Sequence, residues 1–392
     1  MQYCFEQMMR WFGPDDPVDL WHIRQAGCTG VVTALHQIPV GEIWTRDEIE
    51  KRKAAINAVG LSWTVVESLP VSEDIKRQTG DYLLHIDNYK KSLRNLASAG
   101  LSVVTYNFMP IFDWMRTDIA YTLPDRSKSL YFEKKAFIAF DLFLLQRAEA
   151  VDEYSKLQQE SAKEYFKILT TDQKEKLFRN CLLGLPGSKD AFTPENIKET
   201  LKNYHHINPE KLKHNLFFFL KNVIPVTEEC GLKMAIHPDD PPFPLLGLPR
   251  IVSTENDLAE IFAAVPSPSN GLCYCTGSLG VRPDNDLEKI AQRFSDLIHF
   301  IHLRSTTRDK EGNFYEADHL TGDVDMYSVI RTLVKGMHKR RVSIPMRPDH
   351  GHQMLDDLSK ITYPGYSAIG RLKGLAEIRG LEYGIQNMFL NL

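Results

Sequence analysis

Short apolar runs, rich in β-branched residues, alternate along the chain with longer stretches of helical period. They fall at 29–35 (TGVVTAL), 61–67 (LSWTVVE), 101–107 (LSVVTYN), 232–237 (LKMAIH), 271–276 (GLCYCT), 298–304 (IHFIHLR) and 342–347 (VSIPMR), with a weaker run at 10–13 (RWFG) ahead of them. These runs are near-continuously apolar, as parallel strands covered on both faces require. Helical stretches at 18–26, at 46–59, before Gly100 and at 209–230 supply the crossovers that parallel pairing needs. The stretch at 46–59 has Thr45 or Asp47 near its start and Gly60 at its end, as helix caps do. Eight such units predict an α/β fold, a single (β/α)8 TIM barrel spanning residues 1–392. The run at 10–13 is the weakest of the eight; without it an open α/β sheet is the rival. No strand is followed by G-x-G-x-x-G, and no P-loop sequence occurs.

Residues 112–206 interrupt the alternation after the fourth strand, with helical stretches at 134–147 and 151–169 and a break at 184–187 (GLPG). This predicts a large, mainly helical insertion. It is either decoration outside the barrel or a cap over the strand-end face, and the sequence Asp113-Trp114-Met115-Arg116 at its mouth favours the cap.

Charge adds exclusions. Lys+Arg 47 against Asp+Glu 51 gives a net charge of -4, which argues against a nucleic-acid or anionic-membrane partner. The basic segment 335–341 (KGMHKRR) lacks interleaved aromatics and reads as the solvated end of a crossover helix. The longest apolar stretches, such as 216–220, fall far short of the roughly 20 residues a membrane helix needs. Six cysteines without a disulfide-like spacing or an apolar leader predict a reducing, cytoplasmic setting. A homodimer is compatible with the composition, although no sequence feature fixes an interface.

The chemistry gathers at strand ends. Four late strands end with His237, Cys275, His302 and Asp349, and a barrel delivers such residues to its C-terminal face. Imidazole, thiolate and carboxylate together suit a divalent transition metal better than Mg or Ca. Each has a plainer reading: His237 in a loop hydrogen bond, Cys275 as a small buried hydrophobe, His302 in competition with His299, and Asp349 paired with Arg347. Cys273, on the same side of its strand as Cys275 but deeper, reads as packing. Arg304 and Arg347 offer donors for a substrate carboxylate, while His36, Asn107 and Asp113 suit hydroxyl groups. Tyr366, in Pro364-Gly365-Tyr366, stands where a loop can fold back over the site, as packing or as a proton donor. Asp239 and Asp240, before two prolines, read as a rigid polar turn rather than an acid–base pair, since adjacent carboxylates can diverge.

The chain closely resembles the mannonate dehydratase family over nearly its whole length. The matching motifs are RWFGPDDPV at 10–18, GVVTALHQIPVGEIW at 30–44, YNFMPIFDWMRTD at 106–118 and HPDDPPFPLLGLPRIVST at 237–254, followed by CTGSLGVRPDND at 275–286, HLRST at 302–306, MRPDHGHQMLDD at 346–357 and PGYSAIGRLKGLAE at 364–377. The resemblance implies a xylose-isomerase-like barrel that converts the sugar acid D-mannonate into 2-dehydro-3-deoxy-D-gluconate and water in hexuronate catabolism, using Mn2+ or Fe2+. It carries the metal residues onto His237, Cys275, His302 and Asp349, and proton transfer onto Asp349, His350 and Tyr366, with Tyr363 a neighbouring rival.

Removing a proton from C2 beside a carboxylate piles negative charge on an anion, which is the problem a Lewis acid solves. The base is His350 or Asp349, and the acid is Tyr366 or a water held by the metal. Two other functions fit the barrel: a metal-dependent sugar isomerase, which loses no water, and a metal-stabilised carbohydrate-binding protein, which turns nothing over.

Overall fold

The computed structural model describes residues 3–183 and 193–390, so the break expected at 184–187 lies outside the described residues. Twelve strands are present among them: β1 (Phe5–Arg10), β2 (Gly30–Thr33), β3 (Ser62–Val66), β4 (Val103–Tyr106), β5 (Asp118–Thr122), β6 (Lys128–Phe132), β7 (Lys233–Ile236), β8 (Asn270–Cys275), β9 (Ile298–Leu303), β10 (Ser305–Arg308), β11 (Phe314–Ala317) and β12 (Ile344–Pro348). Eight of them close a parallel barrel in the order β1-β2-β3-β4-β7-β8-β9-β12, with Phe5 opposite Ile344 and Met8 opposite Gly30 at the closure.

Seven barrel strands lie within a few residues of the apolar runs. The first does not. It precedes the expected 10–13 and ends at Arg10, while Trp11, Phe12 and Gly13 turn away behind it. Glu6 and Gln7 interrupt its apolar character, which is why the run is hard to see. The helix Pro209–Cys230 matches its expected bounds because its signals are complete: Asn208 caps it, Pro209 takes its first turn and Gly231 ends it at φ 72°.

The insertion is not purely helical. It opens with β5 and β6, which join β10 and β11 from beyond the seventh barrel strand in a four-stranded antiparallel sheet, order β10-β11-β6-β5. Phe314 stacks on Phe132 across that pairing. Helices follow at Lys134–Ala139, Ala150–Glu153, Lys156–Ile168, Thr171–Cys181 and Pro194–Lys202, with a π-helical stretch at Phe140–Leu145. The expected helix 151–169 is split because Ser155 starts a new one with a capping box to Gln158.

The barrel interior explains where the site sits. Met8, Val32, Val65, Val103, Ala235, Cys273 and Phe300 form an apolar layer inside it. Side chains repeat every second residue along a strand. Two steps further on therefore stand Arg10, Glu67, Thr105, His237, Cys275 and His302, a polar layer on the apolar one at the C-terminal mouth. The helices pack outside on a larger hydrophobic core.

Candidate active site

The four expected donors converge at that mouth. His237 follows β7, Cys275 closes β8, His302 is the penultimate residue of β9 and Asp349 follows β12. His237 Nδ1 lies 2.7 Å from the Pro238 carbonyl, an obligate acceptor, which places the hydrogen on Nδ1 and turns Nε2 inward. Nε2 faces His302 Nδ1 at 3.2 Å. The opposite nitrogen of His302 lies 3.4 Å from Glu67 Oε2. Cys275, His302 and Asp349 present donor atoms within 4.8 Å of one another, and so do His237, Cys273 and His302.

The two cysteines differ in charge. For Cys275, burial is outweighed by the Arg304 guanidinium and by hydrogen bonds to His237 and His302, so its thiol lies well below the usual range and is ionised. For Cys273, burial and the nearby Glu67 carboxylate push the thiol well up. Metals take thiolates, so the donor set that fits a divalent ion is His237, Cys275, His302 and Asp349. Burial opposes a charge on His237, yet Cys275, Asp349 and Glu67 together lift it to about 9.

Two charged frames brace the donors. Glu67 accepts from Arg347 at 2.8 Å and 2.7 Å and from Arg10 at 2.8 Å, and these charges hold it well below the carboxylate range despite its burial. On the other side, Arg304 donates to Asp240 and Glu316 and lies 2.7 Å from Asp349. Arg116 donates to the same Asp240 and Glu316, at 2.7 Å each. Asp349 also accepts from Arg347. Arg347, His350 and Arg304 keep it ionised against burial.

A cavity opens on this layer, lined by Arg10, Glu67, Asn107, Asp113, Trp114, His237, Asp240, Arg347, Asp349, His350 and Tyr366 among others. Six of the expected residues are thus brought together on its wall beside His237: Asn107, Asp113, Arg347, Asp349, His350 and Tyr366. Tyr366 is buried and bridges Gly351, whereas Tyr363 is only partly buried. Two expected substrate residues stand elsewhere. Arg304 is 1% exposed and fully committed to carboxylates. His36 lies off the cavity wall, stacked on Phe12 at 5.9 Å, and burial followed by the charges of Arg10 and Arg52 takes it down to about 3. Asp239 and Asp240 do diverge, the first accepting from Val252 and Ser253, the second from the two arginines.

Arg10, Glu67 and Glu316 went unassigned in the sequence. Glu67 carried a signal, two residues beyond Val65 at a strand end. Glu316 carried none, since its place depends on the antiparallel sheet.

A closed parallel barrel that gathers His, Cys and Asp side chains at its C-terminal mouth has the xylose-isomerase-like fold. A xylose isomerase domain protein from Planctomyces limnophilus shares the fold at TM-score 0.51 and 10% identity, with the whole of each chain covered. Residues 5–391 match the family D-mannonate dehydratase (UxuA). Mannonate dehydratases from Marinomonas sp. (strain MWYL1) and Chromohalobacter salexigens are 52% and 50% identical, over 97% and 98% of this chain and 99% of each of theirs. The crystal structure of mannonate dehydratase from Streptococcus suis serotype2 superposes at TM-score 0.78 with 33% identity, covering 98% of this chain and 95% of that one. The chain belongs to the mannonate dehydratase family.

Proposed function

We propose that the protein is a hydro-lyase that converts D-mannonate into 2-dehydro-3-deoxy-D-gluconate and water, with Mn2+ or Fe2+ held by His237, Cys275, His302 and Asp349. One observation carries the reading: in a chain of this family, His237, Asp349, His350 and Tyr366 line a single cavity, and Cys275 and His302 present their donor atoms within 4.8 Å of that of Asp349. Bound there, the ion supplies a Lewis acid for the charge that develops beside the substrate carboxylate.

The protein's own groups supply the rest. Arg10 and Arg347 form a positive wall for the carboxylate, and Asn107 and Asp113 meet hydroxyl groups. His350 removes the C2 proton, because it lines the cavity with Nε2 on the Asp349 side while the rival Asp349 is clamped by Arg347 and Arg304. The C2–H electron pair becomes the C2=C3 bond as the C3–O bond breaks. Burial raises Tyr366 to about 12, so it holds a proton at neutral pH and gives it to the departing hydroxyl, which leaves as water. The proton gained by His350 restores the phenol, its ring 5.1 Å away. The enol then takes a proton at C3 and gives up its C2 hydroxyl proton, becoming the 2-keto acid.

The start of the insertion caps the site: Asp113 and Trp114 reach the cavity wall, and Arg116 ties this segment to Asp240 of the barrel. No helix among the described residues is long and apolar enough to cross a membrane. A reducing cytoplasm, the setting of hexuronate catabolism, suits an unpaired thiolate. Incubating metal-loaded protein with D-mannonate and weighing the product tests the function. A product lighter by one water supports it, a product of unchanged mass marks an isomerase, and sugar-acid binding without product marks a binding protein.

A further inference from the structure

Resting on the assignment of His350 as the C2 base, one neighbour of that ring has a role of its own. His350 is packed edge to face by Tyr366 at 5.1 Å and by Trp114 at 6.4 Å, so its plane is fixed. What remains open is which nitrogen carries the hydrogen. Nε2 lies on the Asp349 side, 3.8 Å from Oδ1, where the cavity is. Nδ1 points away from it, 3.2 Å from Oε1 of Glu316.

Glu316 is 3% exposed and comes from β11 in the accessory sheet rather than from the barrel. Arg116 and Arg304 neutralise it, so a full negative charge persists in a buried place. Nδ1 has one other polar neighbour, Arg304 Nη1 at 3.3 Å. That nitrogen already donates to Oε1 of Glu316, a stronger acceptor than a neutral imidazole, while Nη2 holds Asp240, and an arginine nitrogen can accept no hydrogen from Nδ1. The acceptor within reach of an Nδ1 hydrogen is therefore Glu316.

We propose that Glu316 is a positioning residue for the reaction: by accepting the Nδ1 hydrogen of His350, it presents the unprotonated Nε2 to the C2 hydrogen of the substrate. It touches no reacting atom and acts only through the ring. A carboxylate behind a catalytic imidazole fixes the tautomer in this way, and here an element outside the barrel supplies it. The accessory sheet thereby contributes to catalysis as well as to covering the site.

The test is a double-mutant cycle in the metal-loaded full-length chain, with kcat, KM, metal content and thermal midpoint read for every variant. Glu316→Gln is expected to lower kcat about 10- to 100-fold, as loss of an orienting partner does, with KM and metal content held. In a His350→Asn background the same change is expected to cost almost nothing more, because the ring it served is gone. An equal loss in both backgrounds, or a loss that follows metal content or melting, would overturn the role. Should Glu316→Gln not fold, Glu316→Asp keeps the charge for both arginines while drawing the oxygen back from the ring. Reduced kcat at a near-native melting point supports the proposal, and wild-type kcat contradicts it. If wild type turns over D-mannonate and His350→Asn does so equally well, the base assignment itself is wrong. If His350→Asn is impaired but Glu316→Gln is additive with it, only the positioning role fails.

Discussion

His237 Nε2 and His302 Nδ1 face each other at 3.2 Å although the outer nitrogen of each ring has an acceptor beside it. Those outer partners, the Pro238 carbonyl and the Glu67 carboxylate, engage the outer nitrogens, so the two inner nitrogens are left to share one proton or one cation. Two nitrogens bound about 2.1 Å from one ion stand roughly 3.0 to 3.4 Å apart across octahedral to tetrahedral angles. The spacing thus fits two ligands of one cation, and the ionised Cys275 and Asp349 would complete the proposed set.

The cysteine pair separates ligand from neighbour. Cys275→Ser is expected to weaken retention of a divalent transition metal by at least about tenfold while the fold survives, since it removes the soft donor. Cys273→Ser is expected to retain metal far better, because its thiol is un-ionised and belongs to the apolar layer. Metal titration of both purified variants checks this. Equal retention in wild type and Cys275→Ser would contradict direct ligation.

His350→Asn and Tyr366→Phe remove the proposed base and acid without touching a metal donor. Each is expected to lower kcat about 10²- to 10⁴-fold with metal content intact. Steady-state rates with metal analysis decide the matter, and an unchanged kcat removes the residue concerned from the mechanism.

Several buried histidines give the protein a specific acid response. Burial is the first cause in each case, and it takes His36 and His299 down to about 3 and His319 to about 4. A depressed folded pKa means that the unfolded chain binds more protons once pH falls below the ordinary histidine value. Stability is therefore lost as pH drops from about 6.5 toward 4. The lowered Glu316, at about 2, adds a loss only below about 4.5. In His36→Gln the melting temperature is expected to fall less steeply with pH from about 6.5 down to about 3, with His299 and His319 keeping the rest of the slope. An unaltered slope throughout would contradict a neutral, buried His36.

Gly277 is required by close approach. A Cβ there would overlap Nε, Cγ and Cδ of Arg304, which has no room to withdraw while it holds Asp240, Glu316 and Asp349. Gly277→Ala is expected to cost about 1 to 3 kcal/mol of stability, as overpacking does, and to impair metal retention by displacing the counter-charge of Cys275. Denaturant titration measures the first and metal analysis the second.

What was legible in the sequence follows from what is local. Runs such as LKMAIH and IHFIHLR announce buried parallel strands, and a polar residue at the end of each points to the C-terminal mouth. Such strand ends mark the four candidate donors in the sequence, and with them part of the cavity wall. FEQMMR was not, because Glu6 and Gln7 break its pattern. Neither was STTR, a polar strand that exists only because β10 pairs with β11 and β11 with β6, far earlier in the chain. Glu316 shares that fate. Arg304 was misplaced for a related reason: a strand-end arginine looks free until the carboxylates of Asp240 and Glu316, distant in sequence, are folded onto it.

The most direct test of metal-dependent dehydration is the action of metal-stripped protein on D-mannonate, with and without restored Mn2+ or Fe2+, read as product mass. The account predicts no product from the stripped protein and, once either ion is restored, a product lighter by one water. Equal turnover without metal, or a folded, metal-loaded protein that leaves D-mannonate intact, would contradict it.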